Sequence, residues 1–591
     1  MRFLAWSYGM VALLHASAAS AAPDLSPARW PAEQRAEAEA REMAVMPTAP
    51  RLVSGSKAMV SATASPVAVR AGIEALRQGG TAADAAITTA LTQIAMMAGA
   101  NVSYAGVADL LYYDARTRRV HALSAGWNGW RGETAPLAIP AADISLITGH
   151  APSPSTGGEG RKTLVPGFMA GMDALHRRFG RLPWRRLFDP AIVYAGQGVP
   201  VTPLLASYFS LGRHALQKTP EGKAFVMPDG AHLPTSGSRF VAPELAQTLR
   251  AVADHGARTM YSGDWARRFV ATVRAHGGAA SMADLAAYRP RWTEPMTVAF
   301  GDGIVVGPDS SNSGSCTILM ALNLLNHAGA PRRYWQDARA FRDMALASRL
   351  ALTAASSPEV AALDGALGSE GGCAAHLTPA FGAAAMARLD TLARARASAA
   401  PGHHSASVVV VDRWGNVAAL LHSSNTAIWG DAGMVVGGIP LPLPAGIYQQ
   451  RLATIAPGTR LPSDQSPVML LRGGTPVLAV SAVGTSTHFE TARLIRGLSV
   501  DPDLLAWASA PPLLFNIDQF TGPLIDRDEL VPAGRYPEAL LAALRDFGIS
   551  PRVIDATRVA TIKGTAAFVR LDRSKLATAE APGVLTFAEG E

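Results

Sequence analysis

Histidine and serine side chains supply most of the groups in this sequence that could do chemistry. His403 and His404 are adjacent, but no carboxylate or cysteine stands near them at metal-ligand spacing, so a solvated loop is the better interpretation. A Ser-His-Asp arrangement that uses His422 or His488 remains open, although no Gly-x-Ser-x-Gly elbow supports it. We therefore expect no metal and no organic cofactor, and we look for a nucleophile of another kind.

Composition indicates a packed enzyme rather than a disordered or nucleic-acid-binding chain. Hydrophobic residues make up 49% and charged residues 17% of 591 positions. The net charge of +7 is spread along the chain without a run of Lys or Arg, so we expect no nucleic-acid partner. The two cysteines, Cys316 and Cys373, allow one disulfide, and two free thiols fit the sequence equally well.

The N-terminus has the composition of an export signal. A short basic start, Met1–Phe3, precedes a mostly apolar stretch, Leu4–Leu14, and a small-residue cleavage site, Ala19–Ala21. The stretch is too short to span a bilayer. Residues 1–22 are therefore predicted to be a signal peptide, and the mature protein to be periplasmic or secreted with no membrane contact. Residues 23–54, rich in Ala, Glu and Arg, are predicted to form an exposed helix or an exposed tether.

Helical and extended patterns alternate along the rest of the chain, as in a layered α/β sandwich. The buried-type hairpin of residues 407–412 and 416–421, with Arg413-Trp414-Gly415 as its turn, is the clearest of these patterns. Other predicted elements are two helices within 67–90, strands at 110–114, 120–123, 467–471 and 477–483, and a helix at 490–498.

Several separated segments occur in an order that resembles the gamma-glutamyltranspeptidase family. They are Met59-Val60-Ser61-Ala62-Thr63-Ala64-Ser65-Pro66, Leu164-Val165-Pro166-Gly167, Asp189-Pro190-Ala191-Ile192, Tyr261-Ser262-Gly263, Asp284-Leu285-Ala286-Ala287-Tyr288 and Pro308-Asp309-Ser310-Ser311-Asn312-Ser313-Gly314. The resemblance runs from about residue 55 to 570. It implies an α/β (α+β) fold, the four-layer αββα sandwich of N-terminal-nucleophile hydrolases.

The resemblance also implies a nucleophile. In this family the precursor cuts itself, and the residue seven positions before a strand-ending aspartate becomes the nucleophile; Asp412 occupies that aspartate position, which gives Ser405. A free α-amino group carries its own base for the adjacent hydroxyl. The chain would then divide into a large-subunit region, 55–404, and a small-subunit region, 405–591, that remain together as a heterodimer. A shift of register would instead select Ser407.

Four further positions match the family's catalytic centre. Ser423 stands where the family has a hydroxyl that hydrogen-bonds the nucleophile, and Asn425 where an asparagine lines the substrate pocket. Gly484 and Thr485 replace the Gly-Gly pair whose backbone amides stabilise the oxyanion. The resemblance thus places Ser405, Ser423, Asn425, Gly484 and Thr485 in one site.

The substrate-binding positions depart from the family. Gly132 takes the register of the family's carboxylate-binding arginine, with Arg131 displaced by one. Ser463 and Asp464 stand where the family has two serines, and the acidic loop that binds the glutamyl amino group is replaced by apolar residues 441–447. Because an unpaired buried ion is costly, these changes indicate a pocket for a different acyl group.

Three functions remain in view. The first is an exported amidohydrolase that cleaves gamma-glutamyl or related amide and peptide bonds through an acyl-enzyme, with hydrolysis favoured over transfer to an acceptor. The second is a catalytically inactive relative that serves as a binding protein. The third is an acylase for a non-glutamyl amide from a secondary metabolite or cell wall. In each case the partner is a small molecule or a short peptide.

Overall fold

A computed structural model describes most of the chain: residues 22–44, 46–143, 157–309, 311–393, 405–484, 486–513, 528–555, 564–572 and 575–591. Residues 1–21 of the predicted signal peptide and the bond before Ser405 lie outside these ranges. Within them, no helix is both long and apolar enough to cross a membrane.

The first of two seven-stranded sheets holds the strand that begins after Ser405. Its strands, in spatial order, are Thr586–Gly590, Met59–Thr63, Ala406–Val411, Val417–Ser423, Val107–Asp114, Arg119–Ala125 and Arg291–Thr293. All pairings in it are antiparallel. The hairpin predicted at 407–412 and 416–421 is therefore confirmed, and the strands predicted at 110–114 and 120–123 pair with each other.

The second sheet stacks on the first and carries the other predicted strands. Its order is Arg51–Gly55, Lys575–Glu580, Thr565–Asp572, Thr475–Val483, Val468–Arg472, Gly303–Gly307 and Met296–Phe300. Small and β-branched residues from both sheets, such as Val409, Val411 and Ala479, form a buried core between them. Strands buried on both faces need continuous apolar runs, which is why these strands lack strict polar alternation.

Helices cover the outer face of each sheet and complete the four-layer αββα sandwich. Against the first sheet pack Ala32–Ala44, Pro66–Arg77, Ala82–Met96, Phe168–Phe179, Asp189–Gln197, Pro203–Leu216, Pro220–Val226, Pro243–His255, Thr259–Ser262, Asp264–Ala275 and Met282–Ala287. Against the second pack Ser313–Asn326, Ala338–Thr353, Pro358–Ala366, Pro379–Ala387, Leu389–Leu392, Thr487–Leu498, Leu504–Ala508 and Glu538–Asp546.

A few short elements lie outside these layers. The helix Ala445–Ala453 packs in a small separate core near the chain's functional residues, and the helix Cys373–His376 lies beside Ser313–Asn326. Two-stranded pairings join Val435–Val436 to Ile439–Pro440, Val199–Pro200 to Arg239–Phe240, and Asp528–Pro532 to Ser550–Ile554.

The prediction of an exposed tether at residues 23–54 is wrong for the residues of that segment that the structure describes. Leu25 is fully buried and Trp30 is 4% exposed, with its indole Nε1 donating to the Leu25 carbonyl at 3.0 Å. The guanidinium of Arg41 contacts the Glu580 carboxylate at 2.7 Å, and Arg51–Gly55 is an edge strand. The charged residues suggested solvent, but several of them bind partners on the body of the protein.

Candidate active site

The hairpin that begins after Ser405 is fixed at its far end by Asp412. The Asp412 Oδ1 atom accepts hydrogen bonds from the amides of Trp414 at 2.9 Å and Asn416 at 3.0 Å, and Oδ2 accepts one from the Ala82 amide at 2.8 Å. Gly415 has a φ of +82°, which the tight turn requires. Asp412 thereby ties the turn to the N-terminus of the helix Ala82–Met96, and this sets the register that brings Ser405 to the strand's start.

Ser405 lies where two cavities meet. A large cavity of about 950 Å³ and a small cavity of about 120 Å³ share Ser405, Val483 and Gly484 as lining residues. Ser405 is partly exposed, whereas the strand after it is fully buried. A partly exposed serine directly before a buried strand can meet a substrate, while the strand that follows holds its backbone.

The structure places Ser423 and Asn425 next to each other at the end of the neighbouring strand. The Asn425 amide donates to Ser423 Oγ at 2.9 Å, and Trp127 Nε1 donates to Asn425 Oδ1 at 2.9 Å. Asn425 has a φ of +46°, a conformation that asparagine adopts more readily than most residues. Its side chain is 4% exposed and lines the large cavity, so its amide is held in one orientation by Trp127.

Gly484 ends the central strand of the second sheet and precedes the helix Thr487–Leu498. Its φ of +98° favours glycine. The helix N-terminus beside it carries a partial positive charge, which favours an anion near Ser405. Thr485, the second predicted oxyanion residue, lies outside the described residues. The arrangement around Gly484 is therefore suited to stabilising negative charge on a carbonyl oxygen.

Ser463 and Asp464 are adjacent in sequence but contact different parts of the protein. The Ser463 hydroxyl donates to the carboxylate of Asp109, which is buried, and burial raises the pKa of Asp109 to about 7. Asp464 instead lines the large cavity, where Arg451 contacts it at 3.3 Å and the Tyr448 hydroxyl donates to it at 3.4 Å. Asp464 therefore belongs to the cavity surface, and Ser463 supports the loop behind it.

The structure does not bring Arg131 to these cavities. Its side chain is 61% exposed, and its Nε lies 3.4 Å from a carboxylate oxygen of Asp284. The arginine that lines the large cavity is Arg451, on the helix Ala445–Ala453, where its guanidinium stacks over Tyr448 with 5.0 Å to the ring centroid. Sequence reasoning missed Arg451, because neither its spacing nor its neighbours link it to the nucleophile.

Three residues whose roles the sequence left open, two cysteines and one histidine, lie in the wall of the large cavity. Cys316 and Cys373 form a disulfide and both line the large cavity. His488 also lines it; burial lowers its pKa to about 4, and its Nε2 is buried without a hydrogen-bond partner among the described residues. His488 is therefore a neutral imidazole at neutral pH.

The alternative nucleophiles find no support in this geometry. Ser407 is fully buried and lines neither cavity. His422 is buried as well, its Nε2 hydrogen-bonds the Gln93 side-chain oxygen at 2.9 Å, and burial lowers its pKa to about 3. A Ser-His-Asp triad needs an imidazole oriented by a carboxylate, and the contact of His422 is an amide.

Two stacked sheets covered by helices, with a serine at the start of a buried strand, define the fold class of the N-terminal-nucleophile hydrolases. The family model described as Gamma-glutamyltranspeptidase matches residues 68–579, and the chain belongs to that family. The crystal structure of cephalosporin acylase from Bacillus halodurans has the same fold, with a TM-score of 0.74 at 20% identity over 92% of this chain and 98% of the acylase.

The relatives include acylases and glutathione hydrolases. Acylase ACY 1 proenzyme of Pseudomonas sp. (strain SE83) is 27% identical over 534 residues, which are 85% of this chain and 89% of the acylase. Glutathione hydrolase 3 of Arabidopsis thaliana is 31% identical over 255 residues, 43% of this chain. The match spans only 38% of that glutathione hydrolase.

Proposed function

We propose that this protein is an exported amidohydrolase that cuts its own chain before Ser405 and then uses Ser405 as its nucleophile. The observation that carries the proposal is the position of Ser405 at the junction of two cavities, beside Gly484 and the N-terminus of a helix. The relatives named as proenzymes support self-processing, and residues 1–22 support export.

Self-cleavage would begin with attack of the Ser405 hydroxyl on the carbonyl carbon of His404. The peptide nitrogen of Ser405 leaves as a free amine, and an ester joins His404 to Ser405 Oγ. Water then hydrolyses the ester and releases the His404 carboxylate. The new α-amino group has an ordinary pKa near 8, so at neutral pH a usable fraction can accept the hydroxyl proton.

The same hydroxyl would then attack the carbonyl carbon of a substrate amide. The α-amine takes the Oγ proton, negative charge develops on the carbonyl oxygen near the Gly484 amide, and the leaving amine departs with a proton. An acyl-enzyme ester remains, and water hydrolyses it. Loss of one oxyanion donor typically costs about 10²–10³ in rate, so we expect the backbone amide at Gly484 to make a large contribution beside that of the nucleophile.

The acyl group we propose is gamma-glutamyl or a related group that carries charge. The large cavity has room for it, and the contacting pair of Arg451 and Asp464 offers one cation and one anion. In this proposal, these two charged side chains take over the binding of a charged acyl group from the acidic loop that residues 441–447 replace. Water can enter a cavity of about 950 Å³, which supports hydrolysis over transfer.

A second candidate is an acylase for a non-glutamyl amide. The observation that favours it is the long match to a relative named as an acylase, together with the placement of Arg131 outside the cavity. The two candidates share the nucleophile and differ only in the acyl group. Turnover of 4-nitroanilides with gamma-glutamyl, glutaryl and hexanoyl groups distinguishes them.

The test of self-processing is a denaturing gel of the purified protein with N-terminal sequencing of the smaller band. We expect two bands, the smaller one beginning at Ser405. Ser405→Ala should give one band and no anilide turnover, and Ser405→Thr should still process. Ser407→Ala is the matched control and should process normally. Two bands from Ser405→Ala would contradict the assignment of Ser405, whereas an uncut wild-type chain would contradict self-processing and favour the inactive binding protein.

A further inference from the structure

The small cavity beside Ser405 is mostly apolar. Six of its lining residues are Met46, Met96, Met97, Leu204, Leu205 and Leu585. Methionine side chains are flexible and polarizable, so they adapt to apolar groups of different shape. The large cavity contrasts with it, because Asn425, Arg451, Asp464 and His488 line that space. The nucleophile therefore has an apolar surface on one side and a polar surface on the other.

Sheet topology explains why the two cavities lie on opposite sides of Ser405. The strand Ala406–Val411 pairs with Val417–Ser423 on one edge and with Met59–Thr63 on the other. Asn425, just beyond Val417–Ser423, lines the large cavity, whereas Thr63 lines the small one. An amide held with its carbonyl at Ser405 would extend toward both neighbours, with its acyl group in one cavity and its amine group in the other.

The N-terminal helix gives the small cavity a fixed wall. Glu42, near the end of Ala32–Ala44, accepts hydrogen bonds from the Ser65 hydroxyl at 2.7 Å and the Val67 amide at 3.3 Å. These bonds attach the end of that helix to the start of Pro66–Arg77. Glu42 itself lines the cavity, and so does Met46, four residues later in the sequence. The cavity is therefore formed by the folded chain before any ligand arrives.

We infer that the small cavity binds an apolar substituent on the amine portion of the substrate. The inference rests on the proposed function, which assigns the acyl group to the large, polar cavity. An apolar cavity of 150 Å³ in another protein is known to hold benzene, so about 120 Å³ suits a short or branched alkyl group. The substrate class is then an amide between a polar or charged acyl group and a small alkylamine.

The test uses processed protein and the binding of n-alkylamines from methylamine to octylamine, measured by calorimetry. Each added methylene should tighten binding about fourfold until the cavity is full, after which affinity should stop rising. Met97→Trp and Leu204→Trp, both at half-buried or exposed positions of the cavity wall, should abolish this dependence on chain length. Met227→Trp, at a methionine that lines neither cavity, is the matched control and should retain it.

Equal affinity for all the amines would overturn the inference, and so would a chain-length dependence that survives in both tryptophan variants with native circular dichroism. The gel of the same preparation separates this failure from that of the proposed function. Two bands with no chain-length dependence reject only the alkylamine subsite, whereas an uncut chain rejects the enzymatic function on which it rests.

Discussion

At the scale of single residues, Glu42 links the N-terminal helix to the site and carries a proton that ordinary glutamates lose. Burial raises its pKa from 4.5 to about 7, although hydrogen bonds from Ser65 and Val67 act in the opposite direction. A raised folded pKa means that its stabilising contribution is complete below pH 4.5 and is lost as the pH rises through about 7.

The wild type should lose stability between pH 5 and pH 8 as Glu42 ionises, and Glu42→Gln should not show this loss. Glutamine keeps an acceptor for Ser65 and has no charge to bury. The difference in unfolding free energy between variant and wild type should be about 2 kcal/mol more favourable to the variant at pH 8 than at pH 5. Denaturant titrations at both pH values measure this, and Glu33→Gln, at an exposed position of the same helix, is the control. A difference that does not change with pH would contradict it.

The structure places Arg451 in the large cavity, whereas the sequence pattern pointed to Arg131. If the acyl group carries a carboxylate, Arg451→Gln should lower kcat/KM on glutaryl 4-nitroanilide by about 10-fold or more, because a hydrogen bond to a charged group is lost. Arg131→Gln should leave kcat/KM unchanged, since its side chain is 61% exposed and pairs with Asp284. The reverse ranking of the two variants would restore the sequence-based assignment.

Ser405, Ser423 and Asn425 were predicted from the resemblance to the family's motifs. The structure sets Ser405 and Asn425 in the wall of the large cavity, and the Ser423 hydroxyl accepts a hydrogen bond from the Asn425 amide. Gly484 was predicted in the same way, from the register of the family's Gly-Gly pair, and it lines both cavities together with Ser405. Arg451 could not be predicted, because its helix reaches the cavity only through tertiary packing. No local pattern records which of many arginines a fold brings to a cavity.

At the scale of elements, the correct predictions concern structure that local sequence determines, and the wrong one concerns a segment that depends on tertiary packing. The hairpins and the helix pair Pro66–Arg77 and Ala82–Met96 follow from local periodicity and turn residues. The packing of the N-terminal segment could not be predicted in this way, because the helix Ala32–Ala44 is dominated by Ala, Glu and Arg. Only Ala38 and Glu42 of that helix are buried, so its contact face is too narrow to produce an amphipathic pattern.

The disulfide joins two helical elements across 57 residues of sequence, and both cysteines lie in the wall of the large cavity. The double variant Cys316→Ser/Cys373→Ser should lower the unfolding free energy by about 2–4 kcal/mol, because the unfolded chain regains the entropy of an open loop. Chemical denaturation with and without a dithiol reductant measures it. The variant should not respond to reductant, and a wild type equally insensitive would indicate free thiols.

At the scale of the whole molecule, the two regions separated by the proposed cut are interleaved in both sheets. In the first sheet, Met59–Thr63 lies between Thr586–Gly590 and Ala406–Val411, and Val417–Ser423 pairs with Val107–Asp114. In the second, two strands that precede the cut, Arg51–Gly55 and Gly303–Gly307, pair with the outer strands of the block formed by the small-subunit region. Neither region therefore contains a complete sheet.

The processed fragments should consequently remain one body after the chain is cut. Among the described residues, five antiparallel strand pairings cross between the regions, and the three large buried cores contain residues from both. Processed protein should elute from size exclusion as a single peak that yields two bands on a denaturing gel, and should unfold in one cooperative transition. The uncut Ser405→Ala variant provides the reference volume. Two peaks under native conditions would mean that the shared sheets do not hold the fragments, and the heterodimer would have to be abandoned.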